Sequence, residues 1–345
     1  MKLQRDISLK PYNTFGIDVK AKFFARFSTV EELTALLNLQ DKTNLRALIL
    51  GGGSNLLFTK DVNGYVLKNE LTGIQLIKED HNHYYVKVSA GENWHRFVMH
   101  CVAHNYAGLE NLSLIPGNVG ASPMQNIGAY GAELKDVFEN LEALHKPDRT
   151  IRTFTANDCE FGYRESVFKR KYKDEFVILN VTFRLNKKPV LNTSYGALAQ
   201  ELEKMGVTEP SIRSISDAVI NIRKSKLPDP AQIGNAGSFF KNPTISLAQF
   251  EQMQKKVDDK LQPATAIPHY KVDDSHIKIP AAWLIEQCDW KGYRAGDAGV
   301  HTKQALVLVN YGNASGEALD GLATKISNSV EAKFGIELER EVNIV

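Results

Sequence analysis

A serine in a tight glycine setting, Ser238 in the stretch Gly234-Asn-Ala-Gly-Ser-Phe-Phe-Lys-Asn-Pro243, is the first residue whose surroundings could support chemistry. No G-x-S-x-G elbow surrounds it, so hydrolase chemistry is not indicated. Taken alone, such a serine reads as a turn hydroxyl. Arg164, in Phe161-Gly-Tyr-Arg-Glu-Ser166, offers a permanent cation whose planar fork suits a carboxylate. Taken alone it reads as one half of a surface ion pair. Glu341 lies in Ile336-Glu-Leu-Glu-Arg-Glu-Val-Asn-Ile344, where strand alternation places Glu337, Glu339 and Glu341 on one face. Periodicity cannot single out Glu341 from its neighbours.

Two glycine-rich stretches could hold an anion on backbone N–H groups. The first is Gly51-Gly52-Gly53-Ser54-Asn55, and the second runs from Pro116 to Gly131. Neither is a P-loop, because no Gly-Lys-Ser/Thr follows at the required spacing. Neither is a dinucleotide fingerprint of the G-x-G-x-x-G type, because Leu56 stands where the third glycine would fall. Each alone reads as a tight turn. The pair, with Ser and Asn donors in both, points to a dinucleotide lying between them.

These stretches need elements to position them. Arg46-Ala-Leu-Ile-Leu50 is a short apolar run, a buried strand feeding the first glycine loop. Thr29 caps a short helix, with Glu32 three residues on. Tyr84–Gly91 reads as a strand, and Trp94, Phe97, Val98, Cys101 and Val102 then mark one apolar helix face. Phe176–Phe183 is another strand. The pattern changes near 189–216. A helix at 216–226 is stopped by Leu227-Pro-Asp-Pro230, and helices follow at about 246–258, 281–288 and 314–334, the last with Gly335 as its C-cap. Strands are expected near 304–310 and 336–344. The first half lacks the strand–helix alternation of a doubly wound sheet, so the fold class is α+β.

Composition narrows the function. With 345 residues the chain has room for two or three domains, and a net charge of +2 argues against a nucleic-acid partner. The N-terminus lacks an apolar signal region and no run approaches a membrane span, so a cytoplasmic protein is expected. Cys101, Cys159 and Cys288 are isolated and read as reduced thiols, and no metal-ligand spacing is present.

Ten segments carry a resemblance. In order they are NTFGI (13–17), GGGSN (51–55), AGENWH (90–95), LENLSLIPGNVGASPMQNIGAYG (109–131), FGYRES (161–166), KLPDP (226–230), GNAGSFFKNP (234–243), AAWLIEQC (281–288), GVHTKQALVLVN (299–310) and LEREV (338–342). Together they closely resemble the UDP-N-acetylenolpyruvoylglucosamine reductase family, flavoenzymes of peptidoglycan precursor synthesis. The resemblance implies an FAD-binding domain of the vanillyl-alcohol oxidase (p-cresol methylhydroxylase) type and a C-terminal α+β substrate-binding domain. The expected divisions are 1–70 and 71–215 for two FAD-binding subdomains, 216–335 for the substrate domain and 336–345 for a terminal strand carrying Glu341.

The same resemblance implies noncovalent FAD on Gly51, Gly52, Gly53, Ser54, Asn55, Gly117, Gly120, Ala121, Gln125, Asn126 and Gly128. It implies NADPH as hydride donor, docking at the flavin face, and a monomer. Tyr195, Lys226, Asn242, Tyr270 and Gln304 match substrate-contacting positions, with Tyr195 and Tyr270 marking the branch that closes extra tyrosines over the diphosphate, about 265–280 forming the closure. Arg164 would stabilise the substrate carboxylate, Ser238 would donate the proton to carbon, and Glu341 would be the acidic partner. An oxidase on the same flavin domain is the alternative enzyme class, disfavoured because no His or Cys attachment site for covalent flavin is seen. A non-catalytic nucleotide-binding protein is disfavoured by the presence of Arg164, Ser238 and Glu341 together.

Overall fold

A computed structural model describes residues 2–258 and 267–345. The chain forms two compact units, and neither is continuous in sequence. The first comprises Met1–Ser8, Lys20–Gly53 and Val62–Ser225; the second comprises Leu9–Val19, Ser54–Asp61 and Lys226–Val345.

The first unit contains two sheets. In one, Lys20–Phe27, Val62–Asn69 and Ala47–Leu50 run parallel, with Gln4–Ser8 antiparallel at the edge. The helix Val30–Asp41 covers this sheet, started by Thr29, whose hydroxyl accepts from Glu32 N. Leu33, Leu36 and Leu37 from the helix are fully buried with Phe27 and Leu67 of the strands. Apolar burial of this kind is the main source of stability here, at roughly 1.5–3 kcal/mol per large side chain. The second sheet is antiparallel, in the order Ile151–Thr155, Phe138–His145, Phe176–Asn186, His83–Ser89, Ile74–Glu79. The helix Trp94–Ala103 packs on it through the face read from the sequence, with Trp94, Phe97, Val98, Cys101 and Val102 all buried. Asn93 caps that helix by accepting from Arg96 N.

The helix read at 216–226 spans Ile212–Lys226, and through Ser225 it belongs to the first unit, ten residues beyond the division expected at 215. Its Ile215, Ala218, Val219 and Ile222 close a small core with Leu198 and Leu202 of the helix Gly196–Lys204. That amphipathic face was legible; its partner helix was not anticipated.

In the second unit, Gly234–Ser238, Val307–Asn310, Ala298–Val300 and Arg294–Ala295 make an antiparallel sheet. The helix Gly316–Phe334 starts at Ser315, whose hydroxyl accepts from Ala318 N, and stops at Gly335 with φ +69°. The strand expected over 336–344 is shorter. Only Asn343–Ile344 pairs as a strand, parallel to Leu56–Leu57, although Ile336, Leu338 and Val342 are buried and Glu337 and Glu339 exposed, as the alternation requires. Residues 265 and 266 of the expected closure lie outside the described residues. Among the described residues, no helix is long and apolar enough to cross a membrane.

Candidate active site

Ser238 is half-buried and ends a bulged strand, its backbone opposite Val307, with the register shifted between Asn235 and Ser238. Gly237 makes the turn at φ +73°, a conformation a side chain resists. Asn235, buried, builds that turn: its Oδ1 accepts from Gly237 N (3.0 Å), and its Nδ2 donates to Ile233 O (2.8 Å) and Pro228 O (3.2 Å). Sequence reading did not single out Asn235; its place two residues before a glycine in a turn was the available signal. Thr14 O accepts from Asn235 N (3.0 Å), so the NTFG segment braces the approach to Ser238.

Glu341 meets the same strand. Its N–H donates to Phe239 O (2.8 Å) and Lys241 N donates to Glu339 O (2.9 Å), closing an antiparallel bridge between Phe240 and Arg340. The Lys241 ammonium, buried, pairs with Glu339 across this ladder at 2.5 Å. Glu341 therefore lies opposite the residue that follows Ser238. Asn55 completes the arrangement: its Nδ2 reaches Glu341 O (3.4 Å), and its O accepts from Asn343 N (3.1 Å) and Nδ2 (2.9 Å).

In the first unit, Arg164 occupies a two-residue turn in which Gly162 and Glu165 exchange N–H···O bonds of 3.1 and 3.3 Å. Its φ is +55°, unusual for a long side chain and costing on the order of 1–3 kcal/mol. Its Nη2 donates to Gly128 O (2.7 Å), which fixes the guanidinium against the second glycine stretch. Asn126 ties that stretch to the arginine turn. It is fully buried with φ +43°; its Nδ2 donates to Gly162 O (3.0 Å) and Glu133 Oε2 (3.0 Å), and its Oδ1 accepts from Lys135 N (3.0 Å). Its amide thus serves the protein's own architecture.

The glycine stretches meet backbone to backbone. A Cβ at Gly52 would lie 2.8 Å from Gly117 Cα, and one at Gly120 would lie 2.6 Å from Ala90 Cβ. Lys68 Nζ donates to Gly51 O (2.8 Å). The N–H groups of Gly120 and Ala121 are satisfied by Ala90 O (2.9 Å) and Asn118 O (3.0 Å), so these two residues offer contour rather than donors. A close, side-chain-poor surface of this kind fits an extended dinucleotide approaching main chain.

Of the remaining expected residues, Tyr195 is exposed and meets Tyr130 edge-on at 5.3 Å. Lys226 ends its helix, exposed. Tyr270 is exposed. Asn242 Oδ1 accepts from Ala281 N (2.9 Å) and so starts the helix Ala281–Glu286; Gln304 Oε1 accepts from Leu306 N (3.3 Å). Arg223 also emerges beside Tyr130. Its Nε donates to Leu114 O (3.1 Å), and burial lowers its pKa, with the Arg164 charge adding to that effect and Tyr130 opposing it. Burial raises the Tyr130 hydroxyl. Its place in a basic helix end, followed by Lys224 and Lys226, concealed Arg223 in the sequence.

Residues 21–155 match the family model described as an FAD binding domain, and residues 229–345 match the one described as UDP-N-acetylenolpyruvoylglucosamine reductase, C-terminal domain. The UDP-N-acetylenolpyruvoylglucosamine reductase of Flavobacterium johnsoniae is 48% identical over 346 residues, covering 100% of both chains. That of Pseudomonas putida is 47% identical, covering 99% of this chain and 98% of the relative. A crystal structure of UDP-N-acetylenolpyruvylglucosamine reductase from Thermus caldophilus has the same fold at TM-score 0.68 and 23% identity, covering 100% of this chain and 99% of that one. p-Cresol methylhydroxylase shares the fold at TM-score 0.51 and 12% identity, covering 97% of this chain and 85% of that one. The fold is the expected one, an FAD-binding domain of the p-cresol methylhydroxylase type followed by a distinct C-terminal domain. On sequence identity over its full length, the chain belongs to the UDP-N-acetylenolpyruvoylglucosamine reductase family of oxidoreductases.

Proposed function

We propose that this protein reduces UDP-N-acetylenolpyruvoylglucosamine to UDP-N-acetylmuramate with NADPH as electron source and FAD as cofactor. The reading rests on family membership together with one structural observation: the acidic residue of LEREV lies in register with the strand that presents Ser238. FAD would be held by Gly51–Asn55 and by Gly117–Gly128, and when bound it would supply two-electron hydride chemistry between NADPH and the β-carbon of the enolpyruvyl ether.

The protein's own groups manage charge and proton. Hydride addition to the β-carbon places negative charge on the α-carbon and its carboxylate. Arg164 grips that carboxylate, and its permanent charge stabilises the developing enolate. Ser238 gives its hydroxyl proton to the α-carbon, where a strongly basic enolate can accept from a weak acid. Glu341, fixed through its backbone, acts as a hydrogen-bonded or protonated partner, because a bare carboxylate would repel the enolate. Tyr195, Lys226, Asn242, Tyr270 and Gln304 contact the nucleotide diphosphate, with Asn242 and Gln304 also holding nearby main chain. NADPH uses the same pocket in turn, giving ping-pong kinetics in a monomer.

Ser238→Ala tests the assignment. Flavin bleaching by NADPH survives, and reoxidation by the enolpyruvyl nucleotide falls by roughly 10²–10⁴-fold, the range for losing a general acid. Equal loss of both half-reactions would remove Ser238 from the proton-donor role.

A further inference from the structure

Arg340 precedes Glu341, and its side chain turns away from the ladder toward the long helix Gly316–Phe334. Its Nη1 pairs with Asp320 Oδ1 at 3.0 Å and its Nη2 donates to Thr324 Oγ1 at 2.7 Å. Asp320 and Thr324 are one turn apart on that helix, and Thr324 Oγ1 itself donates to Asp320 O (3.0 Å). Both neighbours of Arg340 are meanwhile tied to the strand beyond Ser238: Glu339 O accepts from Lys241 N and Glu341 N donates to Phe239 O. Arg340 is thus the point at which an extended, mostly unpaired segment is fastened on both sides. On one side lies the Ser238 strand. On the other lies the longest helix of the unit.

From this geometry we propose that Arg340 is a positioning residue for Glu341, holding the carboxyl at the reaction centre through the ion pair with Asp320 and the hydrogen bond to Thr324. The assignment rests on the role given to Glu341 above. On the strand side the segment is held at Arg340 by the two backbone hydrogen bonds that make the Phe240–Arg340 bridge. The Lys241–Glu339 ion pair lies beside them and the Asn55 contacts beyond, which leaves the segment freedom to shift relative to the helix. The ion pair to Asp320 and the hydrogen bond to Thr324, one helix turn apart, restrain that freedom. The contact at Asp320 Oδ1 is electrostatic, lying off the N–H direction, and the directional bond is the one to Thr324. Lysine at 340 could reach Asp320 but could not present the same fork to Thr324. An error of about 1 Å at a catalytic group costs up to ~10²-fold in rate.

The test compares flavin-loaded Arg340→Met, Arg340→Lys and Asp320→Asn with the parent, resolving the two half-reactions anaerobically and following hydrogen exchange at the Glu341 amide. In Arg340→Met, bleaching by NADPH stays within about 2-fold, while reoxidation by saturating enolpyruvyl nucleotide slows by about 10–100-fold with its half-saturation little changed. Arg340→Lys recovers part of the rate, and Asp320→Asn falls between them. The Glu341 amide exchanges at least ~10-fold faster in Arg340→Met while amides of Val307–Asn310 keep their protection. Unchanged reoxidation with unchanged Glu341 exchange would overturn the proposal. So would equal loss of both half-reactions in proportion to flavin content, the signature of a merely structural residue. Should Arg340→Met not fold, Asp320→Asn decides alone, since it removes the ion pair and leaves the arginine stem. If Ser238→Ala reoxidises normally, the chemical reading fails instead; the exchange result still judges Arg340, because it does not depend on the reaction.

Discussion

Glu341 donates its backbone N–H to the carbonyl of Phe239, the residue after Ser238, at 2.8 Å. This one bond links the chain's C-terminal segment to the turn carrying the proposed proton donor, across about a hundred residues of sequence. Its consequence is that displacing either strand moves both groups.

Arg164 sits at φ +55°. At most positions alanine is more stable than glycine by about 0.5–1 kcal/mol. Here the order reverses: Arg164→Gly is more stable than Arg164→Ala by about 1 kcal/mol in urea melts, because only glycine adopts this backbone without strain. Both variants lose turnover with the enolpyruvyl nucleotide.

Asn126→Ala leaves Gly162 O, Glu133 Oε2 and Lys135 N without their amide partner. A loss of about 2–3 kcal/mol in folding free energy is expected, since buried polar groups then lack hydrogen bonds. The same variant loosens the turn carrying Arg164, so turnover per bound flavin falls as well, measured by melting and by steady-state rate.

A side chain at Gly52 would press on Gly117 Cα at 2.8 Å. Gly52→Ala is expected to leave circular dichroism near that of the parent while the flavin-to-protein ratio drops by at least ~10-fold, the loops being forced apart. Gly321→Ala is the control. Nothing lies within 4 Å of that Cβ, on an exposed face of the long helix, and it should gain about 0.5–1 kcal/mol with normal flavin content.

His95 Nδ1 accepts from Leu114 N at 3.0 Å, a bond only the unprotonated nitrogen can make. Burial, reinforced by the Arg223 and Lys224 charges, holds its pKa below the ordinary 6.5. The unfolded chain then binds the proton more readily than the folded one. Any stability attached to this bond is complete above pH 6.5 and is lost as pH falls through 6.5 toward the lower folded value. A thermal melt series across that window should show the decline, and His95→Gln should flatten it, because a glutamine oxygen can accept the same bond without titrating.

The sequence made the local structure legible and concealed what depends on distant pairing. Trp94, Phe97, Val98, Cys101 and Val102 announced a helix face because burial repeats every turn, and Gly335 announced the end of the long helix because φ +69° suits glycine. The division was drawn at 216 because Pro228 and Pro230 mark where the helix ends, whereas the helix's apolar face packs on Leu198 and Leu202, a pairing that leaves no local signal. Residues 9–19 and 54–61 join the second unit through pairings such as Asn235 N with Thr14 O and Leu56 with Asn343, which leave no local pattern. The candidate site residues were proposed through motif resemblance alone. Asn55, Asn126 and Asn242 came with it as ligand contacts, yet their amides bind main chain of the protein itself, since an asparagine in a loop can serve either purpose.

The proposed activity is electron flow from a nicotinamide through a bound flavin to an enolpyruvyl sugar nucleotide. The purified protein's visible spectrum, followed anaerobically through successive additions of NADPH and UDP-N-acetylenolpyruvoylglucosamine, decides it. The yellow absorption should bleach on the first addition and return in full on the second, with UDP-N-acetylmuramate formed in equal amount. A folded but colourless protein, or a bleached one that only oxygen restores, would contradict it.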